Sequence, residues 1–261
     1  MKLYFLYAII FSLISCSRLT LTKILGEPDA EGREYYKNLN SDVFVDHYTQ
    51  LAKFYLENSQ IHSQKVLGKA DRYIQNIIQR LLENNELFLS LPEKISFYIV
   101  KKREAFYFSI PGYGIFISEG LLKKYIKSED ALIAVLALEL VKLSSMVYER
   151  KIIYPLGYVS TERLISLMKV SSQVKLELDK WAFYVLKRSD FNPFSLLAWL
   201  QTQNKNVAEF SYLNGDARST SREEYHFKNF IVKEGLNFDY KRYTRNSSSE
   251  FYQFMKYINS I

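Results

Sequence analysis

Glu139 and Lys142 stand one helical turn apart in the apolar run Ala137-Leu138-Glu139-Leu140-Val141-Lys142, and Lys175 and Asp179 repeat the pattern further on, with Glu177 between them. At these spacings each pair shares one helix face. A carboxylate held among apolar groups acts as a general base when a polarised water is at hand, and as half of an ion pair when a cation is. A lone buried carboxylate is costly, so Glu139 and Asp179 are expected to pair with Lys142 and Lys175. Otherwise the lysines reach solvent along their aliphatic stems and Glu139 is an exposed helical residue. The three histidines, His47, His62 and His226, have no mutual ligand spacing and read as surface or core residues. Ser144 and Ser145 lie near Lys142, but no serine–lysine or serine–histidine arrangement accompanies them.

The elements that must position these groups follow from periodicity. Residues 43–58 and 64–83 carry apolar side chains at helical spacing. Residues 94–100, 104–110 and 115–117 are short aromatic and β-branched runs that read as strands, with Lys101-Lys102-Arg103 as a hairpin turn between the first two. After Ser118 the chain reads as mostly helical. Ser128 is the expected N-cap of the helix carrying Glu139, with Glu129 and Asp130 in its first turn. Further helices are expected over 161–170, 172–188, from Pro193 onward, 223–233 and 249–258.

Bulk properties narrow the function. Of 261 residues, 48% are hydrophobic and 24% charged, which suits a globular chain with a sizeable core and excludes a disordered one. The net charge of +7 favours anionic surfaces, yet the basic residues are scattered and no phosphate loop or nucleic-acid motif accompanies them. No nucleic-acid partner is expected.

The start reads as an export signal. Met1-Lys2 is positive, an apolar stretch follows, and Leu13-Ile14-Ser15-Cys16 resembles the bacterial lipobox, whose cysteine is acylated and becomes the first mature residue. Cys16 is the chain's single cysteine, so it has no intramolecular disulfide partner. The expected layout is a signal peptide over 1–15, a flexible tether over 16–40 and one domain over 41–261. Several acyl chains on Cys16 would anchor the protein stably at a membrane, where a single chain would not. The expected location is the bacterial cell envelope, on the periplasmic face or the outer surface.

Three blocks in order resemble the HtpX, Oma and CAAX-prenyl-endopeptidase group of zinc metallopeptidases, which includes bacterial periplasmic lipoproteins. The stretch from Glu104 through Pro111-Gly112-Tyr113-Gly114 to Leu122 is similar to the family's edge-strand block. Ser128 to Lys142 is similar to its metal helix, which carries His-Glu-x-x-His. Lys175 to Asp179, followed by Leu186 to Pro193, is similar to its third block. The resemblance implies an α+β, mostly helical gluzincin-like fold with a small three-stranded sheet beside the former metal helix.

It also implies that the zinc site is dismantled. The three ligand positions fall on Leu138, Lys142 and Lys175, while the general-base position is kept as Glu139 and the supporting aspartate position as Asp179. A zinc site needs about three His, Cys or carboxylate ligands. No metal or cofactor is therefore expected. Glu177 takes the family's other glutamate position, on the helix surface or behind the site. Pro111, Gly112, Tyr113 and Gly114 would line a vestigial groove in which an edge strand binds an extended peptide. The expected function is a catalytically inactive envelope lipoprotein that binds peptides or envelope proteins. The alternatives are a divergent or zinc-independent protease using Glu139 and lysines, and a surface adhesin using the fold as a scaffold.

Overall fold

A computed structural model of the chain describes residues 33–36, 41–85, 94–145, 147–148, 151–154, 159–214, 217–234 and 246–261. The expected signal peptide and Cys16 lie outside these residues. The chain is α+β and mostly helical, with a small mixed four-stranded sheet. In chain order the elements are β1 (Arg33–Tyr36), α1 (Ser41–Glu57), β2 (Ser63–Lys65), α2 (Gly68–Glu83), β3 (Ser96–Val100), β4 (Tyr107–Ile110), β5 (Gly114–Ser118), α3 (Glu119–Lys124) and α4 (Glu129–Ser145). Then come β6 (Lys151–Tyr154), α5 (Thr161–Leu167), α6 (Ser172–Arg188), α7 (Ser195–Lys205), α8 (Ser211–Asn214), α9 (Ala217–Lys233) and α10 (Ser249–Ser260).

The main sheet has the order β2-β3-β5-β4, so the expected three strands gain a fourth. β3 and β5 run parallel, and β4 pairs antiparallel with β5. This corrects the expected hairpin at Lys101-Lys102-Arg103, because β5 comes between the two strands that those residues connect. Local sequence cannot show this choice, which rests on cross-strand packing. Tyr98, Phe116 and Phe108 stand in register on three strands, with ring centroids 4.8 and 5.0 Å apart, and the Tyr55 ring of α1 lies against the last two.

The true hairpin is the β4–β5 turn. Pro111 and Gly112 hold its central positions, Gly112 has φ of +73°, and the Tyr113 N–H donates to the Ile110 carbonyl at 3.1 Å. That is the pattern of a type II turn, which needs positive φ at its third residue. β2 also replaces the first residues of the helix expected over 64–83. Ser63 to Lys65 pair with β3 instead, and the helix starts at Gly68. A second, two-stranded sheet joins β1 to β6, so part of the segment read as a tether forms a strand.

α4 is the centre of the molecule. Ser128 Oγ accepts from the Ala131 N–H at 3.3 Å, which is the expected cap. From Leu132 to Leu143 every residue but Lys142 is buried, so the helix is covered on all sides rather than along one stripe. β4, α2, α6 and α7 pack around it, and α9 lies across α6 and α7. Among the described residues no helix is long and apolar enough to cross a membrane.

Candidate functional site

The α4–α6 contact brings four of the sequence-derived positions to one cavity of about 50 Å³. Leu138 and Lys142 line it from α4, Lys175 and Asp179 from α6. Tyr107 enters from β4 and Glu223 from α9, while exposed Lys169 and half-buried Val170, between α5 and α6, mark its mouth.

Glu139 sits behind Lys142. Its side chain is fully buried, and Oε1 forms an ion pair with the Lys142 ammonium, whose side chain is 16% exposed. Oε2 has no hydrogen-bond partner. The alternative of an exposed Glu139 on the helix surface is thus excluded, and the expected pairing of this carboxylate with a lysine is found. The neighbourhood is polar but neutral. The Ser109 and Tyr148 hydroxyls are 2.7 Å apart, and Ser109 also reaches the Glu139 carbonyl at 3.5 Å. The Tyr107 hydroxyl accepts from Trp199 Nε1 at 3.2 Å, and its ring lies 5.5 Å below the Lys142 Nζ. Burial first, and the Glu139 charge second, push both Tyr107 and Tyr148 above the ordinary phenol range, so both phenols stay protonated.

Lys175 forms its ion pair with Glu223, Nζ to Oε2 at 3.4 Å, with side-chain exposures of 18% and 10%. The expected partner, Asp179, is instead buried with Oδ2 lacking any hydrogen-bond partner. Desolvation holds its carboxyl well above the ordinary range, repulsion by Glu223 adds to this, and Lys175 and Lys142 oppose it only in part. Asp179 therefore borders the cavity with a carboxyl that holds its proton to higher pH than an ordinary aspartate. Glu177 points to solvent and pairs with Lys180 at 2.7 Å, so it is a surface carboxylate.

The groove positions lie elsewhere. Pro111, Gly112, Tyr113 and Gly114 do not line the cavity. A Cβ on Gly112 would run into the Val45 and Thr49 side chains of α1, one on Gly114 into the Ser96 carbonyl, and Tyr113 stacks on Tyr98 at 5.6 Å. This tip of the hairpin is packing against α1 and β3. β4 is the edge strand, yet all four of its residues are buried, so its outer edge is not open to an added strand. The peptide groove expected at Tyr113 and Gly114 is corrected accordingly.

The donor set does not fit a zinc ion. Leu138 offers no donor atom, and Lys142 and Lys175 are engaged as cations with carboxylates. Among the described residues no three His, Cys, Asp or Glu side chains gather where they could hold a metal. His47 packs edge-on against Tyr48, with its pKa lowered by burial, and His226 is exposed beside Tyr225.

Glu223 and Tyr107 are participants that sequence reading missed, and Glu223 carried a signal. It shares the helical phase of buried Phe227 and half-buried Phe230, at i+4 and i+7, and a carboxylate on that face of a helix signals a buried partner. In comparisons with protein families and with curated proteins, nothing matches this chain.

Proposed function

We propose that this protein is a catalytically inactive, metallopeptidase-like lipoprotein of the bacterial envelope, built on a gluzincin-like fold, that binds a peptide or an envelope protein instead of hydrolysing it. The observation that carries the reading is the Glu139–Lys142 ion pair. The Lys142 ammonium occupies the Oε1 that a general base would turn toward a water, and Lys142 stands at the position where the family resemblance places a ligand to the metal that would polarise that water. Two further features support it. Positions 138, 142 and 175, which the family resemblance equates with zinc ligands, meet at one cavity, as they would in a dismantled metal site. That cavity, at about 50 Å³, is far below the roughly 300–1,000 Å³ of pockets that enclose a ligand. A macromolecular partner would meet its mouth at Lys169 and Val170.

The test is metal binding and hydrolysis on purified protein. Calorimetric titration of the native chain with zinc should give no stoichiometric binding, and casein should not be cleaved with or without chelator. The triple variant Leu138→His, Lys142→His, Lys175→Glu should bind one zinc. Stoichiometric zinc with chelator-sensitive cleavage by the native chain would overturn inactivity. A folded triple variant that takes up no zinc would overturn the descent from a metal site.

A further inference from the structure

Leu67 breaks the rules of its own position. It is the N-cap of α2, with extended backbone and no side-chain cap bond, where Ser, Thr, Asp or Asn is the ordinary choice. Gly68, which follows, has φ of +67°, and nothing lies within 4 Å of where its Cβ would stand. The glycine thus serves direction rather than close packing, turning an extended chain straight into a helix. Lys69 then occupies the first turn, where a cation opposes the helix dipole. Val66 is fully buried, yet Leu67 is 64% exposed. Local departures of this kind without local compensation mark positions held for function.

The surroundings of Leu67 are cationic. Exposed Lys65 and Leu67 flank buried Val66 in extended chain, so their side chains share a face. Lys69 and Arg72 follow on the exposed side of α2, three residues apart. Among the described residues the side chains of Lys65, Lys69 and Arg72 have no ion-pair or hydrogen-bond partner. A groove of about 480 Å³ opens beside them between α2 and α10. Leu67, Lys69 and Arg72 line one side, and Tyr257 and Glu250 line the other, Glu250 being its one carboxylate.

The chemistry discriminates between partners. A protein interface is built on an apolar or aromatic centre from which lysine is depleted. Here one projecting aliphatic side chain stands among cations instead. That arrangement suits a bilayer surface, where the leucine enters below the headgroups while the cations meet lipid phosphates. We propose that Leu67, with Lys65, Lys69 and Arg72 around it, is a docking surface for an anionic lipid bilayer, and that it turns the α2–α10 side of the domain toward the membrane. This contact adds to the acyl anchor proposed at Cys16, and the two fail separately. Absence of palmitate on the native chain would fail the anchor, whereas position 67, followed in a chain without Cys16, decides this contact.

The apolar stretch before Cys16 would by itself bring the chain to a vesicle, so the measurement is depth at one position rather than binding. In the full chain with Cys16→Ser, Leu67→Cys carries a nitrobenzoxadiazole label. Val232→Cys carries it as the control, since Val232 on α9 is 77% exposed. On vesicles containing phosphatidylglycerol, the label at 67 should shift to the blue and resist reduction by dithionite, and the label at 232 should do neither. On phosphatidylcholine alone, or in about 1 M salt, where charges are screened beyond about 3 Å, the protection at 67 should be lost. Lys69→Gln with Arg72→Gln should lower the ratio of protected to accessible label about thirtyfold, about fivefold for each cation. Both side chains are exposed, so this variant keeps its fold. An accessible label at 67 on anionic vesicles, equal protection at 67 and 232, or undiminished protection in the double variant would overturn the proposal. So would the same blue shift with polyglutamate and no lipid, which would assign the surface to an acidic protein partner.

Discussion

Replacing Asp179 with asparagine should change how stability depends on pH. The Asp179 side chain is buried, its Oδ2 has no hydrogen-bond partner, and its carboxyl is held well above the ordinary range by desolvation and by Glu223. An unfolded aspartate ionises near pH 3.9. Above that pH the unfolded chain has lost the proton while the folded chain keeps it. The native state then binds one proton more, and stability falls as pH rises, by about 1.4 kcal/mol per pH unit from this group. The decline stops where Asp179 ionises in the folded protein. Asparagine keeps the shape and hydrogen-bonding capacity but cannot ionise, so the variant lacks this component.

Urea unfolding of both proteins at half-unit steps from pH 4.5 to 8 isolates it, because the other titrating groups cancel in the difference. Asp179→Asn should gain on the native chain by about 1.4 kcal/mol for each pH unit, up to a plateau that marks the folded ionisation. A difference independent of pH would refute the raised ionisation of Asp179. An ionised Asp179 paired with Lys142 or Lys175 would leave the difference flat over this range, and the native chain would gain on the variant only as pH rises from about 2 to 4.5.

Lys142→Met strands the buried Glu139 carboxylate and should cost about 3–5 kcal/mol in urea unfolding, with Lys142→Met plus Glu139→Gln recovering much of it in a double-mutant cycle. Gly112→Ala puts a side chain at φ of +73° and within 2.7 Å of Thr49 Oγ1, and should lower stability by about 1–2 kcal/mol in urea unfolding. Trp199→Phe removes the bond to the Tyr107 hydroxyl and should cost about 1 kcal/mol beyond the loss of ring contacts. Cys16→Ser should move the protein from the membrane to the soluble fraction and abolish incorporation of labelled palmitate. Unchanged fractionation would refute the lipid anchor.

Local chemistry made much of the framework legible. The helix expected over 172–188 is α6 to the residue, because Ser171 caps it and its apolar positions keep one phase to Arg188. Ser128 marks the start of α4 for the same reason. Glu139 and Lys142 could be paired from spacing alone, since two groups one turn apart on a helix share a face whatever surrounds it. The missing donor atoms at Leu138, Lys142 and Lys175 were likewise a matter of side-chain chemistry.

Partners distant in sequence were decided by tertiary structure. The position of β5 between β3 and β4 depends on aromatic side chains meeting across three strands, and the run Lys101-Lys102-Arg103 has the same local character in either topology. Pro111 to Gly114 carry the turn signal, but only the packing of α1 and β3 shows that those glycines serve close contact rather than a groove. Lys175 and Asp179 were legible as neighbours on α6. That Lys175 pairs with Glu223, and that Asp179 is buried with its pKa raised in part by Glu223, required α9 to lie across α6. Sequence determines which groups share a helix face, because helix geometry is local. Which charges meet inside the protein depends on the packing of helices far apart in the chain, and burial then sets the ionisation state of each.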